Sequence, residues 1–102
     1  MTEQDQTPVS AREADARVAI DIRAFQAEGR HDAARERYGE LVARYQRRAV
    51  RIAYHYLRNA ADADEAVQDA FIKAYMHIGT FREDLPFEVW FTRILINGCL
   101  DR

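Results

Sequence analysis

The chain has 102 residues, of which 48% are hydrophobic and 31% charged, and this composition predicts one globular domain rather than a disordered segment. A single cysteine, Cys99, excludes an internal disulfide, and no apolar run approaches the roughly 20 residues that a membrane-spanning helix needs. The first residues are polar and acidic, unlike a secretory signal, so we expect a cytoplasmic protein that does not act at a membrane.

The formal net charge of −2 excludes a uniformly basic nucleic-acid-binding chain, but it hides an uneven distribution of charge. Residues 41–58 contain five arginines and no acidic residue. Residues 59–79 contain four acidic residues and one lysine, which gives a net charge of −3. A basic segment is therefore followed directly by an acidic one.

The first half of the chain predicts two helices. Residues 1–9 are polar and contain a proline, and we expect a disordered lead-in before a helical domain over 10–102. The first predicted helix covers 10–28 and ends at Gly29, because glycine accepts the left-handed conformation of a C-terminal cap without steric cost. Apolar residues then recur at steps of three and four, which predicts a second helix of about 25 residues with Asp32 as its N-cap.

The second half predicts two more helices. The third covers 63–78, with Asp62 as its N-cap and Gly79 at its end. A loop over 80–85 follows, and Pro86 suits the first turn of the fourth helix.

The dipeptide Asn97-Gly98 disagrees with this fourth helix. It is typical of the type I′ turn of a β-hairpin and follows the β-favouring residues 94–96. Only four residues come after it, too few for a second strand of useful length. We therefore expect an all-α fold, a compact bundle of four helices, with the hairpin as the alternative.

No catalytic residue, metal site or cofactor is predicted. The three histidines fall at no metal-ligand spacing, and Cys99 has no partner cysteine. The carboxylates of 62–69 lack the glycine and terminal glutamate of a calcium loop. The chain contains neither a phosphate-binding glycine loop nor a nucleophile elbow, so we expect a protein that is not an enzyme.

One side of the third predicted helix is acidic. Glu65, Asp69, Ile72 and Met76 follow one another at intervals of four, three and four residues and so share a face. Carboxylates beside an exposed apolar pair are typical of a surface that binds a basic, partly apolar partner. The alternative is that this face is buried in a larger core.

One side of the second predicted helix is basic, with Arg44, Arg47, Arg48 and Arg51 on the same face. A face of this kind attracts the phosphate backbone of a nucleic acid. The alternative is that these arginines pair with acidic neighbours inside the domain.

The last third of the chain combines aromatic residues with arginines. They are Phe81, Arg82, Phe87, Trp90, Phe91 and Arg93. Aromatic rings beside cations suit stacking on unpaired bases. For Phe87, Trp90 and Phe91 the core of the bundle is the favoured interpretation, whereas the loop over 80–85 is freer to surround an extruded base.

Six pieces of the sequence carry a family resemblance. They read DIRAFQAEG at 21–29, YGELVARY at 38–45, DADEAVQDAF at 62–71, FREDLPF at 81–87, WFTRILIN at 90–97 and DR at 101–102. In this order and spacing, the stretch 20–102 resembles the second conserved region of extracytoplasmic-function sigma factors, the promoter-recognising subunits of bacterial RNA polymerase.

The resemblance implies a role for each feature. The acidic helix of the family docks on a helical coiled coil of the largest catalytic polymerase subunit, and the matching residues here are Asp64, Glu65, Gln68, Asp69 and Ile72. The loop before the fourth helix captures a base flipped from the minus-ten element, and the fourth helix helps to read and open that element. The matching residues are Phe81, Arg82 and Asp84 in the loop and Arg93 and Asn97 in the helix.

The chain also departs from the family pattern. Glu83 stands where the family often has glycine and Leu85 where a small residue is usual, which implies a different shape for the base-binding pocket. Gly98 stands where the family favours a helix former. The family continues beyond the position of Arg102 with a basic run and a domain that reads the minus-thirty-five element, so we expect that C-terminal promoter-binding domain to be absent from this chain.

The resulting expectation is a domain that docks on core RNA polymerase and recognises and melts the promoter minus-ten element, with an anti-sigma factor as a further partner. One alternative is a sigma-like adaptor that binds polymerase or an anti-sigma factor without binding DNA. Another is a small helix-turn-helix repressor, which the long second helix disfavours.

Overall fold

A computed structural model describes residues 8–82 and 84–102 of the chain. Its helices are α1 (Pro8–Ala27), α2 (His31–Leu57), α3 (Ala60–Met76) and α4 (Phe87–Leu100), with a short 3₁₀ turn at Ile78–Thr80 between α3 and α4. No strand occurs in these residues, so the prediction of an all-α bundle of four helices is confirmed.

The start of α1 falls two residues before the predicted one. Pro8 opens the helix, a position that tolerates proline because the first amide N–H has no partner within the helix. Of the predicted lead-in over 1–9, residues 1–7 lie outside the described part of the chain. After α1, Gly29 adopts a φ of 76°, which confirms its predicted left-handed conformation.

Two of the predicted N-caps are wrong. Helix α2 begins at His31, so Asp32 lies inside its first turn, where a carboxylate favours the positive end of the helix dipole. Helix α3 begins at Ala60, and its cap is Asn59, whose side-chain oxygen accepts a hydrogen bond of 2.9 Å from the amide of Asp62. At α3 two residues able to cap, Asn59 and Asp62, lie close together, and local sequence does not distinguish them. At α2 the N-cap position is occupied by Arg30, whose side chain makes no capping hydrogen bond.

The hairpin alternative for Asn97-Gly98 is wrong. Both residues lie within α4, which continues to Leu100. Burial of Leu95 and Cys99 on the inner face of α4 outweighs the local turn preference, since a glycine inside a helix costs only about 1 kcal/mol relative to alanine.

Helix α2 lies at the centre of the bundle and packs against α1, α3 and α4. Its buried residues include Tyr38 and Leu41. The phenol of Tyr38 donates a hydrogen bond of 2.6 Å to the backbone carbonyl of Phe71 in α3. Burial raises the pKa of Tyr38, so the phenol remains a donor throughout the physiological pH range.

A buried carboxylate joins α1 to α2. Asp15 is 1% exposed, and its two oxygens accept hydrogen bonds from the Arg44 guanidinium and the Tyr45 phenol. Burial, together with the hydrogen bond to Asp15, raises the pKa of Tyr45 and keeps the phenol protonated. Because a buried carboxylate is costly unless its oxygens are satisfied, this cluster determines how α1 sits on α2.

We expect Tyr45→Phe to lower the free energy of unfolding by about 1.5–3 kcal/mol, the usual contribution of a hydrogen bond to a charged group. Chemical denaturation followed by circular dichroism measures the change. Arg35→Ala, which removes only an exposed ion pair with Asp32, is the matched control and should change stability by less than about 0.5 kcal/mol. Equal effects of the two substitutions would contradict the structural role of the Asp15 cluster.

Candidate functional site

The acidic face of α3 lies on the surface. The five residues expected to dock on polymerase are all exposed: Asp64, Glu65, Gln68, Asp69 and Ile72. The Ile72 side chain is 59% exposed and Met76, one turn further along, is 72% exposed. This face is therefore not buried in the core of the described bundle.

Two of these carboxylates, Glu65 and Asp69, form ion pairs with the same arginine. Arg102, just beyond the end of α4, lies 2.5 Å from Asp69 and 3.5 Å from Glu65. Both carboxylates remain mostly exposed, so the contact is a surface ion pair of small energy. The geometry shows that the spacing of Glu65 and Asp69 suits a single arginine side chain.

A groove runs beside this acidic face, between α3 and the second half of α4. Its volume is about 480 Å³, and its lining includes Ile72, Met76, Ile94 and Gly98. Asp69 and Arg102 also line it, so an apolar surface is bordered by charged groups. The sequence pattern of α3 predicted the acidic and apolar half of this groove, whereas the contribution of α4 depends on how the two helices pack.

The loop that follows the 3₁₀ turn is closed by two buried rings. Phe81 is 3% and Phe87 is 1% exposed, and their ring centroids are 5.8 Å apart in an edge-to-face arrangement. Phe81, expected from the resemblance to contact DNA, lies in the core, where its ring has no surface to offer a base. Between the two rings Arg82 and Asp84 are exposed, and Glu83 lies outside the described residues.

Two arginines of α1 hold the backbone of this loop. Arg23 donates to the carbonyls of Ile78 and Phe81, at 3.4 and 3.2 Å. Arg12 donates to the carbonyl of Asp84 at 2.8 Å. Neither residue was predicted to have this role, although the sequence places both on one face of α1, three helical turns apart.

Two exposed polar residues follow the loop on one side of α4. Arg93 and Asn97 are exposed and one turn apart, as the resemblance requires of residues that read DNA. Trp90 precedes these two residues on the same side of α4. Its ring is half-buried and packs against Phe81, with 5.3 Å between the ring centroids. The prediction that Phe87, Trp90 and Phe91 belong to the core is confirmed for both phenylalanines, and Trp90 packs at the edge of that core.

The four arginines on the basic face of α2 differ in whether they form ion pairs within the domain. Arg44 pairs with Asp15 of α1, and Arg48 pairs with Glu88 in the first turn of α4. Neither of them reaches the acidic segment of α3. Arg47 and Arg51 form no ion pair with any residue that the structure describes.

Cys99 has the properties of a core residue. Its side chain is 4% exposed, and burial raises the pKa of its thiol, which disfavours the reactive thiolate. Within 8–82 and 84–102, no three His, Cys, Asp or Glu side chains are grouped so that they could hold a metal ion. None of the helices in the same residues is both long and apolar enough to span a membrane.

The fold and these surfaces define an all-α domain with two exposed groups of charged residues, one on α3 and one on the loop and α4. The sequence pattern of Sigma-70 region 2 matches residues 41–102, more than half of the chain. The chain therefore belongs to the sigma-70 region 2 family.

Curated relatives place the chain within that family. It is 40% identical over 65 residues to the ECF RNA polymerase sigma factor SigM of Mycobacterium tuberculosis, covering 64% of this chain and 33% of that protein. It is also 40% identical over 57 residues to the ECF RNA polymerase sigma-E factor of Escherichia coli K12, covering 56% of this chain and 29% of the relative. The chain thus spans about a third of the length of these relatives, which are sigma factors of the extracytoplasmic-function type. No solved structure matched the chain.

We expect Arg23→Ala to loosen the start of the loop, because it removes the donors to the carbonyls of Ile78 and Phe81. The amide of Phe81, which donates to the carbonyl of Ile78 at 3.2 Å, should exchange its hydrogen about tenfold faster, the equivalent of one hydrogen bond from a charged group. Native-state hydrogen exchange measures this rate. The control is Arg17→Ala, an exposed position on the same helix, and equal rates in the two variants would contradict the anchoring role of Arg23.

Proposed function

We propose that this domain acts in transcription initiation, by docking on core RNA polymerase through α3 and by recognising and melting the promoter minus-ten element through the loop and α4. The observation that carries the proposal is that one group of exposed residues lies on α3 and the other on the loop and α4 of one packed bundle. One domain can therefore hold polymerase and a DNA strand at the same time. This role is one of binding and requires no catalytic residue.

Docking on polymerase is supported by the character of the α3 face. Its carboxylates attract a basic partner, and the exposed side chains of Ile72 and Met76 add apolar area that association would bury. A helical coiled coil with arginines beside apolar residues has the complementary chemistry. The ion pairs that Arg102 forms with Glu65 and Asp69 support the proposal that these carboxylates bind a guanidinium of the partner.

Melting of the promoter is supported by the construction of the loop. Extruding a base costs a few kcal/mol of unstacking and unpairing, and a pocket that is already formed offsets this cost without further ordering of the chain. The buried rings of Phe81 and Phe87 and the arginines of α1 hold the backbone at Phe81 and Asp84. Arg82 and Asp84 are then available for hydrogen bonds to the extruded base, and Arg93 and Asn97 to the strand beside it.

The groove between α3 and α4 is the proposed binding site of an anti-sigma factor. A partner seated there would cover Ile72 and Met76 and so compete directly with polymerase. Regulation by steric exclusion then follows without a conformational change in the domain.

We expect the double substitution Glu65→Lys and Asp69→Lys to weaken binding to core RNA polymerase at least tenfold, because it replaces attraction of a basic partner by repulsion. Competition against a labelled sigma factor measures the affinity. The control is Glu28→Lys with Glu36→Lys, which changes net charge equally at exposed positions away from α3. If both double variants bind polymerase equally well, the docking assignment is wrong.

We expect Arg82→Ala with Asp84→Ala to weaken binding to single-stranded DNA about tenfold or more, since both side chains are proposed to contact the extruded base. The probe is a labelled oligonucleotide selected from a random pool by this domain, measured by fluorescence anisotropy. Unfolding should be unaffected, because both side chains are exposed and Arg12 contacts only the backbone of Asp84.

The matched control for this loop variant is Glu13→Ala with Arg17→Ala, one anion and one cation on exposed positions of α1. Equal affinities of the control and the loop variant would refute the loop assignment. A wild-type domain from which no binding oligonucleotide can be selected would favour the adaptor that binds proteins alone.

A further inference from the structure

The outward face of the second half of α2 carries a row of residues with no role in the function proposed above. Arg47, Arg51 and Tyr54 follow at intervals of four and three residues and so lie along one line on the helix surface, and Arg58, the left-handed C-cap residue of α2, comes four residues after Tyr54. All four are exposed, and the Tyr54 ring is 48% exposed. We call this row the α2 stripe.

The arginines of the α2 stripe differ from their neighbours in having no partner among the described residues. Arg44 and Arg48, on the flank of the same helix, are neutralised by Asp15 and Glu88. The guanidinium groups of the stripe form no ion pair within 8–82 and 84–102, and no acidic residue occurs anywhere in 41–58. The acidic side chain that borders the same surface is Asp64, next to Arg58 at the start of α3.

The dimensions of the stripe suit a strand of nucleic acid. From Arg47 to Tyr54 the helix rises about 10 Å, at 1.5 Å per residue, and Arg58 follows at the C-cap, so the stripe is long enough to face consecutive phosphates. The exposed ring of Tyr54 lies between Arg51 and Arg58. Alternation of cations with an aromatic ring is the pattern of surfaces that bind single strands through phosphates and stacked bases.

One flank of the stripe adjoins the first turn of α4. Arg48, next to Arg47 in sequence and on the neighbouring side of α2, forms an ion pair with Glu88 of α4. An acidic protein would meet the same charges, but the spacing of the cations along a single line, with an exposed ring among them, favours a strand.

We propose that the α2 stripe binds the phosphate backbone of a single DNA strand, independently of base sequence. This inference rests on the proposed function in that the strand is promoter DNA. Arg47, Arg51 and Arg58 contact phosphates, and Tyr54 stacks on a base. The stripe thereby adds affinity and salt dependence but no sequence preference.

The test is the salt dependence of binding to an oligothymidylate of about 20 nucleotides, measured by fluorescence anisotropy over a range of sodium chloride concentrations. For Arg47→Ala with Arg51→Ala, the slope of log affinity against log salt should become shallower by about 1.4, or about 0.7 for each phosphate that the variant no longer neutralises. The control is Arg30→Ala with Arg35→Ala, which removes the same charge from exposed, ion-paired positions and should leave the slope unchanged.

Substitution of Tyr54 tests the stacking contact separately. Tyr54→Ala should weaken binding of the oligothymidylate about fivefold or more, whereas Tyr54→Phe keeps a ring and should retain the affinity. Equal losses in the two variants would overturn the stacking role.

The possible outcomes separate this inference from the proposed function. If the selected oligonucleotide binds through Arg82 and Asp84 while the Arg47 and Arg51 double variant has the wild-type salt slope, the inference fails and the proposed function stands. If the double variant keeps its DNA affinity but loses affinity for core polymerase, the stripe is a protein interface and the inference is overturned. If the wild-type domain binds no single-stranded DNA, both fail.

Discussion

The contact between the rings of Phe81 and Phe87 is the constraint on which both proposed surfaces depend. It closes the loop between α3 and α4, and Phe87 continues the cluster by stacking on Phe91 at 6.0 Å. Phe91 in turn stacks on Phe71 of α3 at 4.4 Å. Each such pair contributes about 0.5–1.5 kcal/mol beyond the apolar area that it buries, so one aromatic cluster holds the loop in place relative to the acidic face of α3.

The arginines of this chain have different roles according to what surrounds them. Arg12 and Arg23 on α1 donate hydrogen bonds to backbone carbonyls at the loop. Arg44 neutralises a buried carboxylate and so fixes the packing of α1 on α2. Arg47 and Arg51, one turn further along α2, remain available to solvent and to ligands. Net charge alone does not distinguish these roles, because each depends on the element packed opposite the side chain.

The helices and much of the core could be predicted from sequence, because apolar periodicity is a local property that packing rarely overturns. The acidic face of α3 was predictable for the same reason, since its residues lie on one helix. The burial of Phe81 was not, because it depends on Phe87 and on Arg23, which lies 58 residues away along the chain. The exact caps failed on a smaller scale, where Asn59 and Asp62 compete to satisfy the same amide groups.

The burial of Phe81 changes how the loop would recognise a base under the proposed function. A ring inside the core cannot stack on DNA, so recognition falls to the polar side chains of Arg82 and Asp84 and to backbone groups of the loop. Polar groups held in a fixed position discriminate between bases by hydrogen bonding, whereas stacking accepts any base. The aromatic residue therefore contributes rigidity to the pocket, and the selectivity of the pocket would come from the charged residues that the ring holds in place.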